Sequence, residues 1–363
     1  MKKTVKRIDI RMVIKGNGII NYDGSNEHKK IDGNYHNNYT YAKRVYPNRE
    51  KLSDYLIKIS HNSLRNSIFG ESHNPNIVHH KDIFMIYLAN PSTILRGFLY
   101  AKEETNKKST GIMITDAIQT CSAKSIMETM TRSGGKDLDE TSEQSDTSYY
   151  FKETIGDITY ASTGTIDLET LSFVSCDQLY DRFAINPDDY ELFTKYFKHH
   201  YPNFDSKLSY YRQKGSSVML PECGFVFKND ILDSMVKLAL EKVALYRNVK
   251  NNGRAEMYKM EIRPVFDALD DNEEWITIVD KSNDKFSTRD AINALSFDYE
   301  NYYEEVEDGI AVPIRETMEK GRLALKEKKA EEKRLKKEAS DKKKEAVEKK
   351  KKEAVENKTE TNA

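Results

Sequence analysis

Between Thr4 and Lys15 the chain alternates, with Ile8, Ile10, Met12 and Ile14 falling on one face and Asp9, Arg11 and Val13 on the other. A period of two is the mark of a strand with one buried face. It commits the chain to a sheet whose inner side must be covered. Further strand signals follow in "SYYFKETIGDITYASTGTIDLETLSFVS", where Ile155-Gly156-Asp157 and Ser162-Thr163-Gly164 supply turn chemistry between β-branched and aromatic runs. The segments "KLSYYRQKGSSVML", "CGFVFKN", "RAEMYKMEIRPVFD" and "EEWITIV" also read as strands. Helical spacing appears in "KDIFMIYLANP", stopped by Pro91, in "DDYELFTKYFKHHY", and in "DILDSMVKLALEKVALYRN", capped by Asn229 or Asp230. These elements lack a regular βαβα beat, so the expected class is α+β with an antiparallel sheet.

Residues 16–50 hold no sustained period and are expected to form a long loop. Lys102–Thr147 is polar apart from the island "GIMITDAIQTC", which fits strand or helix, and contains the Gly-rich "TRSGGKDLDETSEQSDT". "STILRGFLYA" reads as core with Arg96-Gly97 at its middle; its "RGF" matches only the first three positions of the RRM aromatic signature. Beyond about Arg315 the composition turns to Lys, Glu and Ala, and "KKKEAV" occurs at 342–347 and 350–355. That pattern makes a solvated helix or a disordered tail, because it has too few large apolar residues for a coiled-coil seam.

A chain of 363 residues, 38% of them hydrophobic, can bury one large or two ordinary cores. No apolar run has the length of a membrane span and no signal-peptide block follows Met1, so a cytoplasmic protein without a membrane partner is expected. Cys121, Cys176 and Cys223 are widely spaced in sequence and suit reduced thiols. The net charge of -1 hides an asymmetry: +9 over residues 1–135, -15 over 136–325 and +5 over 326–363. A basic first third can meet a polyanion, and opposite charges can pack copies head to tail.

The sequence carries no GxSxG, Walker A, HExxH or properly placed GxGxxG motif, and "TRSGGKD" lacks the ending a P-loop needs. His79-His80 and His199-His200 point to different sides of an element and have no third ligand at metal spacing, so no metal or cofactor is expected. Carboxylates are too abundant to single out a catalytic pair. The mixture of 22 tyrosines with basic residues, as in "NYHNNYTYAKR" and "SYYRQK", fits stacking on bases beside phosphate contacts, and equally fits ordinary sheet tyrosine. In "KISHNSLRNSIFG", Leu64, Ile68 and Phe69 recur at helical spacing, Ser60 or Asn62 can cap, and Gly70 can end the helix. Arg65 then falls near its start, where free N–H groups with His61 and Asn62 can build an anion site; the alternative is a solvated arginine.

Taken in order, the opening strand ending in "KGNGIINYDG", then "ISHNSLRNSIFG", "LRGFLY", "DTSYYFKETIGDITYASTGTIDLETLSFVSCDQLYDR" and "PECGFVFKNDILDSMVKLALEKV" resemble the Cas-seven family. Its members are the backbone subunits of type I CRISPR effector complexes (Cascade), and the compact subtype I-F variant is most alike. The resemblance spans about residues 4–266. It implies an RRM-like (ferredoxin-like) antiparallel core with inserted helical fingers and a β-hairpin thumb, over residues 1–315 with insertions at about 16–50 and 102–150, followed by a charged tail at 316–363. It also implies a non-enzymatic role: polymerising head to tail along a guide crRNA, presenting bases to target DNA, and assembling with other Cascade subunits. Arg65 and Arg96 fall at matching motif positions. The candidate RNA-binding set is His61, Asn62, Arg65, Arg96, Arg132, Lys136, Tyr149, Lys152, Lys250 and Arg254, with the thumb or finger tip expected within Thr131–Phe151. Two alternatives stand beside this. One is a type III-like subunit cutting target RNA with a loop aspartate such as Asp137, Asp139 or Asp146; the other is a generic single-stranded RNA binder.

Overall fold

The computed structural model describes residues 4–23, 27–31, 34–47, 55–70, 81–101, 105–120, 124–133, 147–179, 183–215, 220–250, 253–266 and 274–321, with isolated positions up to 334. The alternating segment becomes strand β1 (Arg7–Gly18), whose Ile8, Ile10, Met12 and Ile14 are buried. The strands that complete its sheet are β2 (Leu56–Ile59), β3 (Ile112–Ile114), β4 (Ala117–Gln119), β5 (Asp157–Asp167), β6 (Arg247–Lys250), β7 (Gly253–Val265) and β8 (Ile276–Asp280). The order is β6-β7-β1-β5-β4-β2, ending on the short strand Arg44–Val45, while β8 pairs with β7 and β3 with β5. Every pairing in this sheet is antiparallel.

Both long neighbours of β1 run its whole length, from Arg7↔Asp167 to Asn17↔Asp157 on one side and from Arg7↔Val265 to Gly18↔Gly253 on the other. Gly253 must be glycine, since a Cβ there would lie 2.8 Å from the Gly18 carbonyl carbon. The apolar island resolves into β3 and β4, with Thr115-Asp116 at the step between them.

The buried face is covered by helices. The chain forms α1 (His61–Ile68), α2 (Lys81–Leu88), α3 (Pro91–Arg96), α4 (Leu168–Ser172), α5 (Tyr190–Phe197), α6 (Asn229–Ala244) and α7 (Thr288–Asn293). α1 buries Leu64 and Ile68, and α6 buries Ile231, Leu232, Met235, Val236, Ala239, Leu240 and Val243 at the spacing of one helix face. The N-cap of α6 is Lys228, without a side-chain cap, so neither Asn229 nor Asp230 caps it; Asn229 is its first helical residue. Phe193, Phe197, Phe204, Phe225 and Phe227 form an aromatic cluster within the same core, with ring centroids 4.8 to 5.6 Å apart in the pairs 193–225, 197–204 and 225–227.

Two expectations are corrected. Residues 16–50 are not one long loop: 16–18 complete β1, and Glu27–Ile31 and Asn34–Thr40 pair with each other. Asn34–Thr40 then adds in parallel to Thr147–Thr154, itself paired with Ile126–Ser133, so the two insertions build one four-stranded sheet. The parallel pairing that joins the two insertions brings together residues more than a hundred positions apart, which local periodicity does not reveal. Second, "STILRGFLYA" is not one core segment. Asn90 caps α3 through the Ser92 N–H at 2.9 Å with Pro91 in its first turn, Gly97 turns the chain at φ 71°, and Phe98–Ala101 leaves as a strand.

The chain divides into two compact units, residues 1–209 with 222–304, and residues 210–221 with 305–363. All the sheets and cores above lie in the first unit. In the second, residues 308–321 are helical, and Arg315 donates from Nη1 to the Pro221 carbonyl at 3.0 Å while lying 4.9 Å over the Tyr210 ring. The expected tail beyond residue 334 lies outside the described residues. Among the described residues no helix is long and apolar enough to cross a membrane.

The N-terminus of α1 is closed by the chain's own carboxylate. Asp116 Oδ1 accepts the His61 backbone N–H at 2.7 Å, and Oδ2 accepts Lys58 Nζ at 2.7 Å. Partial burial opposes ionisation of Asp116, but the hydrogen bonds from Lys58 and His61 and the Lys58 charge outweigh it and hold its carboxyl down at about 2. A carboxylate whose folded value is depressed stabilises the fold above its unfolded value and loses that contribution as the pH falls toward the folded one. Asp116→Asn should therefore cost about 1–2 kcal/mol at neutral pH. The gap between variant and parent in denaturant titrations should close between about pH 4 and pH 2; a gap that stays constant to pH 2 would refute this. Gly97 gives a second test. A Cβ there would sit 2.6 Å from the Thr110 backbone N, at a positive φ, so Gly97→Ala should lower the unfolding free energy by about 1–3 kcal/mol, read from the denaturant midpoint.

Candidate nucleic-acid interface

Arg65 lies in the last turn of α1, not at its start, so the expected anion site on the helix N-terminus does not form there. Three of the N-terminal donors are already taken: His61 N–H by Asp116, Ser63 N–H by the Ser60 hydroxyl at 3.4 Å and Leu64 N–H by the Ser60 carbonyl at 3.0 Å. Arg65 instead reaches across to the end of α3, where its Nη2 donates to the Arg96 carbonyl, an acceptor left over at a helix C-terminus. Arg96 answers by donating from Nη2 to Asn66 Oδ1 at 2.8 Å.

Two guanidinium groups are thus held side by side, and these bonds go to neutral acceptors. Burial, and then the charge of Arg96, lower the Arg65 pKa below the ordinary arginine value. The Arg65 Nε is buried and makes no hydrogen bond. Two cations close together in a half-buried setting favour an added oxyanion, and phosphate matches the planar fork of a guanidinium.

The other α1 candidates flank this pair. His61 Nδ1 lies 2.9 Å from Asp116 Oδ1 with its side chain half exposed, and Asn62 is exposed. His61 and Arg65 are four residues apart on the helix, hence on one face, with Cβ atoms about 6 Å apart. Lys250 and Arg254 are exposed on the β6–β7 hairpin, where Lys250 pairs with Gly253 and Val249 with Arg254. The hairpin is tied to α1 by Asn248 Nδ2, which donates to Ser67 Oγ at 2.8 Å. The structure therefore gathers His61, Arg65 and Arg96 around α1 and joins the Lys250/Arg254 hairpin to the same helix.

Arg132, Tyr149 and Lys152 lie in the four-stranded sheet. Arg132 pairs with Ser148 and Tyr149 with Thr131, but their side chains lie outside the described residues, as do Lys136 and the loop 134–146 that carries Asp137, Asp139 and Asp146. The expected thumb or finger tip within Thr131–Phe151 is thus a hairpin whose connecting loop is outside the described residues. Lys152 places Nζ 4.5 Å above the Tyr22 ring, and burial lowers its pKa. His79 and His80 fall outside the described residues; among those described, no group of three His, Cys, Asp or Glu side chains is arranged to hold a metal.

Sequence reasoning missed Asp116 and Glu153, the carboxylates that organise this region. Their partners lie 28 to 111 residues away, and no local spacing marks them. It also left Arg44 unremarked, although the tyrosine-rich run that contains it was noted. The Arg44 guanidinium stacks 3.9 Å over Tyr55 and 5.0 Å from Tyr41.

Two solved structures, each a "CRISPR RNA-guided surveillance complex", one of them described as pre-nicking, resemble the chain at low similarity. The first is 11% identical with a TM-score of 0.34 and covers 79% of this chain and 81% of that one. The second, the pre-nicking form, is 10% identical with a TM-score of 0.36 and covers 72% and 77%. Neither likeness is strong enough to bear on the fold. A search of curated proteins returns no match. Residues 4–305 match the family described as "Type I-Fv CRISPR-associated protein Cas7fv-like". That match takes in β1, the Arg65–Arg96 pair, the four-stranded sheet and the β6–β7 hairpin, and the chain belongs to this family.

Proposed function

We propose that the protein is the guide-RNA-binding backbone subunit of a type I Cascade complex. Copies line up head to tail along a crRNA in the cytoplasm, present its bases to target DNA, and join other Cascade subunits without cutting nucleic acid. The observation that carries this reading is the Arg65–Arg96 pair, two cationic side chains that the fold brings together where the ends of α1 and α3 meet. Family membership supplies the guide RNA as the source of that phosphate.

The strand arrangement supports an RRM-like core. β1, the β3/β4 pair, β5 and β7 follow one another in the chain with α1 after the first and α6 before the last, and their spatial order β7-β1-β5-β4 is the ferredoxin-like one. In this reading the four-stranded sheet from the two insertions is the thumb. Arg132, Lys136, Tyr149 and Lys152 are its RNA contacts, and His61, Asn62, Lys250 and Arg254 extend the contact along α1.

The test is RNA binding against salt. Arg65→Ala and Arg96→Ala should each weaken binding of a guide-length single strand about tenfold, regardless of sequence, and reduce the salt slope by about 0.7 per subunit. Arg65→Lys should recover only part, because a point charge does not reproduce the planar fork. Thermal melts should fall by no more than one lost hydrogen bond implies, about 1 kcal/mol. Unchanged affinity and slope in both alanine variants would remove the site. Regular cuts in guide or complementary RNA on adding magnesium would overturn the non-catalytic role.

A further inference from the structure

Glu153 is a charged residue in the interior, its side chain 2% exposed. Oε2 accepts from the Ala42 N–H at 2.7 Å and from Arg44 Nη2 at 2.9 Å; Oε1 accepts from the Tyr55 hydroxyl at 3.2 Å and from Ser125 Oγ. Its backbone carbonyl accepts the Tyr22 hydroxyl at 3.2 Å. Donors from four separate stretches of chain, beginning at 22, 42, 55 and 125, therefore converge on one residue near the end of the strand Thr147–Thr154.

Fold stability does not require such a network, since an apolar side chain of similar volume often serves as well. What a fully satisfied buried network adds is a single geometry. That matters at this point because the strand takes up Asn34–Thr40 in parallel at Tyr150↔Asn38, Phe151↔Tyr39 and Lys152↔Thr40, and a slip of one residue there would turn every side chain to the other face. Lys152 precedes Glu153, so the two point to opposite sides of the strand. Tyr22 bridges them: its hydroxyl bonds the Glu153 carbonyl, and its ring lies 4.5 Å beneath the Lys152 ammonium.

We propose that Glu153 is a positioning residue for guide-RNA binding: by clamping the strand Thr147–Thr154 to Ala42, Arg44, Tyr55 and Ser125, it fixes the Lys152 ammonium over Tyr22, where it meets an RNA phosphate. Glu153 itself touches no RNA. The inference rests on the RNA-binding reading above and extends it from α1 to the root of the four-stranded sheet.

The experiment measures binding of the full chain to a guide-length single-stranded RNA at several salt concentrations, for the parent, Glu153→Gln, Lys152→Ala and the double variant. Lys152→Ala should lose about tenfold in affinity and about 0.7 of salt slope. Glu153→Gln, which keeps the shape but supplies an N–H where acceptors are needed, should lose a similar amount. The double variant should bind no more weakly than Lys152→Ala alone, because both changes remove the same contact. Losses that add in the double variant would overturn the proposal, as would Glu153→Gln with a lowered melting temperature but parental affinity and slope. Tyr55→Phe removes one donor to Glu153 and gives an answer even if Glu153→Gln does not fold: it should weaken RNA binding several-fold with a near-parental melt, and unchanged affinity would overturn the proposal. If the parent binds no RNA, the RNA-binding reading fails and this proposal with it; if Arg65→Ala and Arg96→Ala both bind as the parent does while Lys152→Ala and Glu153→Gln lose affinity together, the α1 site fails and this proposal stands.

Discussion

The buried face of β1 is the constraint on which the rest depends. Ile8, Ile10, Met12 and Ile14 remain out of water only while β1 keeps one register against β5 and another against β7, because a shift of one residue on either side would put Asp9, Arg11 and Lys15 into the core. Fixing both registers fixes which ends of the three strands coincide. Gly18, Asp157 and Gly253 arrive together at one end, where Gly18 N–H also bonds the Ile155 carbonyl at 3.0 Å. The β6–β7 hairpin with Lys250 and Arg254, and the segment from Ile19 to Tyr22, begin at that same end. The position of the basic residues follows from where β1 stops.

Elements that declare themselves by local periodicity were legible in the sequence. β1, β7, α5 and α6 each bury a face that the spacing of apolar residues marks out, and the α+β class with an antiparallel sheet follows from them; β5 was legible only in part, because the turn expected at Ser162-Thr163-Gly164 is continuous strand paired with β1. Elements held by distant partners were not. Glu27–Ile31 and Asn34–Thr40 sit in a stretch rich in Asn, Gly, Tyr and Lys, where strand preference is weak, and they exist as strands through pairing with each other and with residues 150–152. The helix hidden in "STILR" was obscured by reading Pro91 only as a stop, although proline also starts helices in the position that needs no N–H.

The site was legible as a set of residue types and illegible as geometry. Arg65 was singled out for lying at a helix N-terminus, and the anion there is Asp116, a part of the chain itself. What makes Arg65 chemically distinctive is its burial, which depresses its pKa, together with a neighbour 31 residues on, whose carbonyl it caps and whose charge depresses that pKa further. A helix start can be read from a capping serine. The meeting of two helix ends cannot, because it depends on how α1 and α3 pack.

The same distinction applies to charge. Counted along the chain, a basic first third and an acidic middle suggest opposed surfaces through which copies could attract one another. In the fold the two segments interleave strand by strand, and much of the opposition is spent within one subunit: Arg11 pairs with Glu261 at 2.6 Å, Arg263 with Asp9 at 3.0 Å, and Arg44 with Glu153 at 2.9 Å. Arg11 also stacks 4.3 Å over the ring of Trp275, placing the chain's one tryptophan within this network. The exposed pairs among these stabilise the fold by at most about 1 kcal/mol each and are screened by salt. Their larger consequence is subtractive, since a cation already facing a carboxylate has little left to offer a polyanion. Arg65 donates to a backbone carbonyl, Arg96 donates to an asparagine, and Lys152 lies over a tyrosine ring. Local pairing, more than the linear balance of charge, decides what each cation faces.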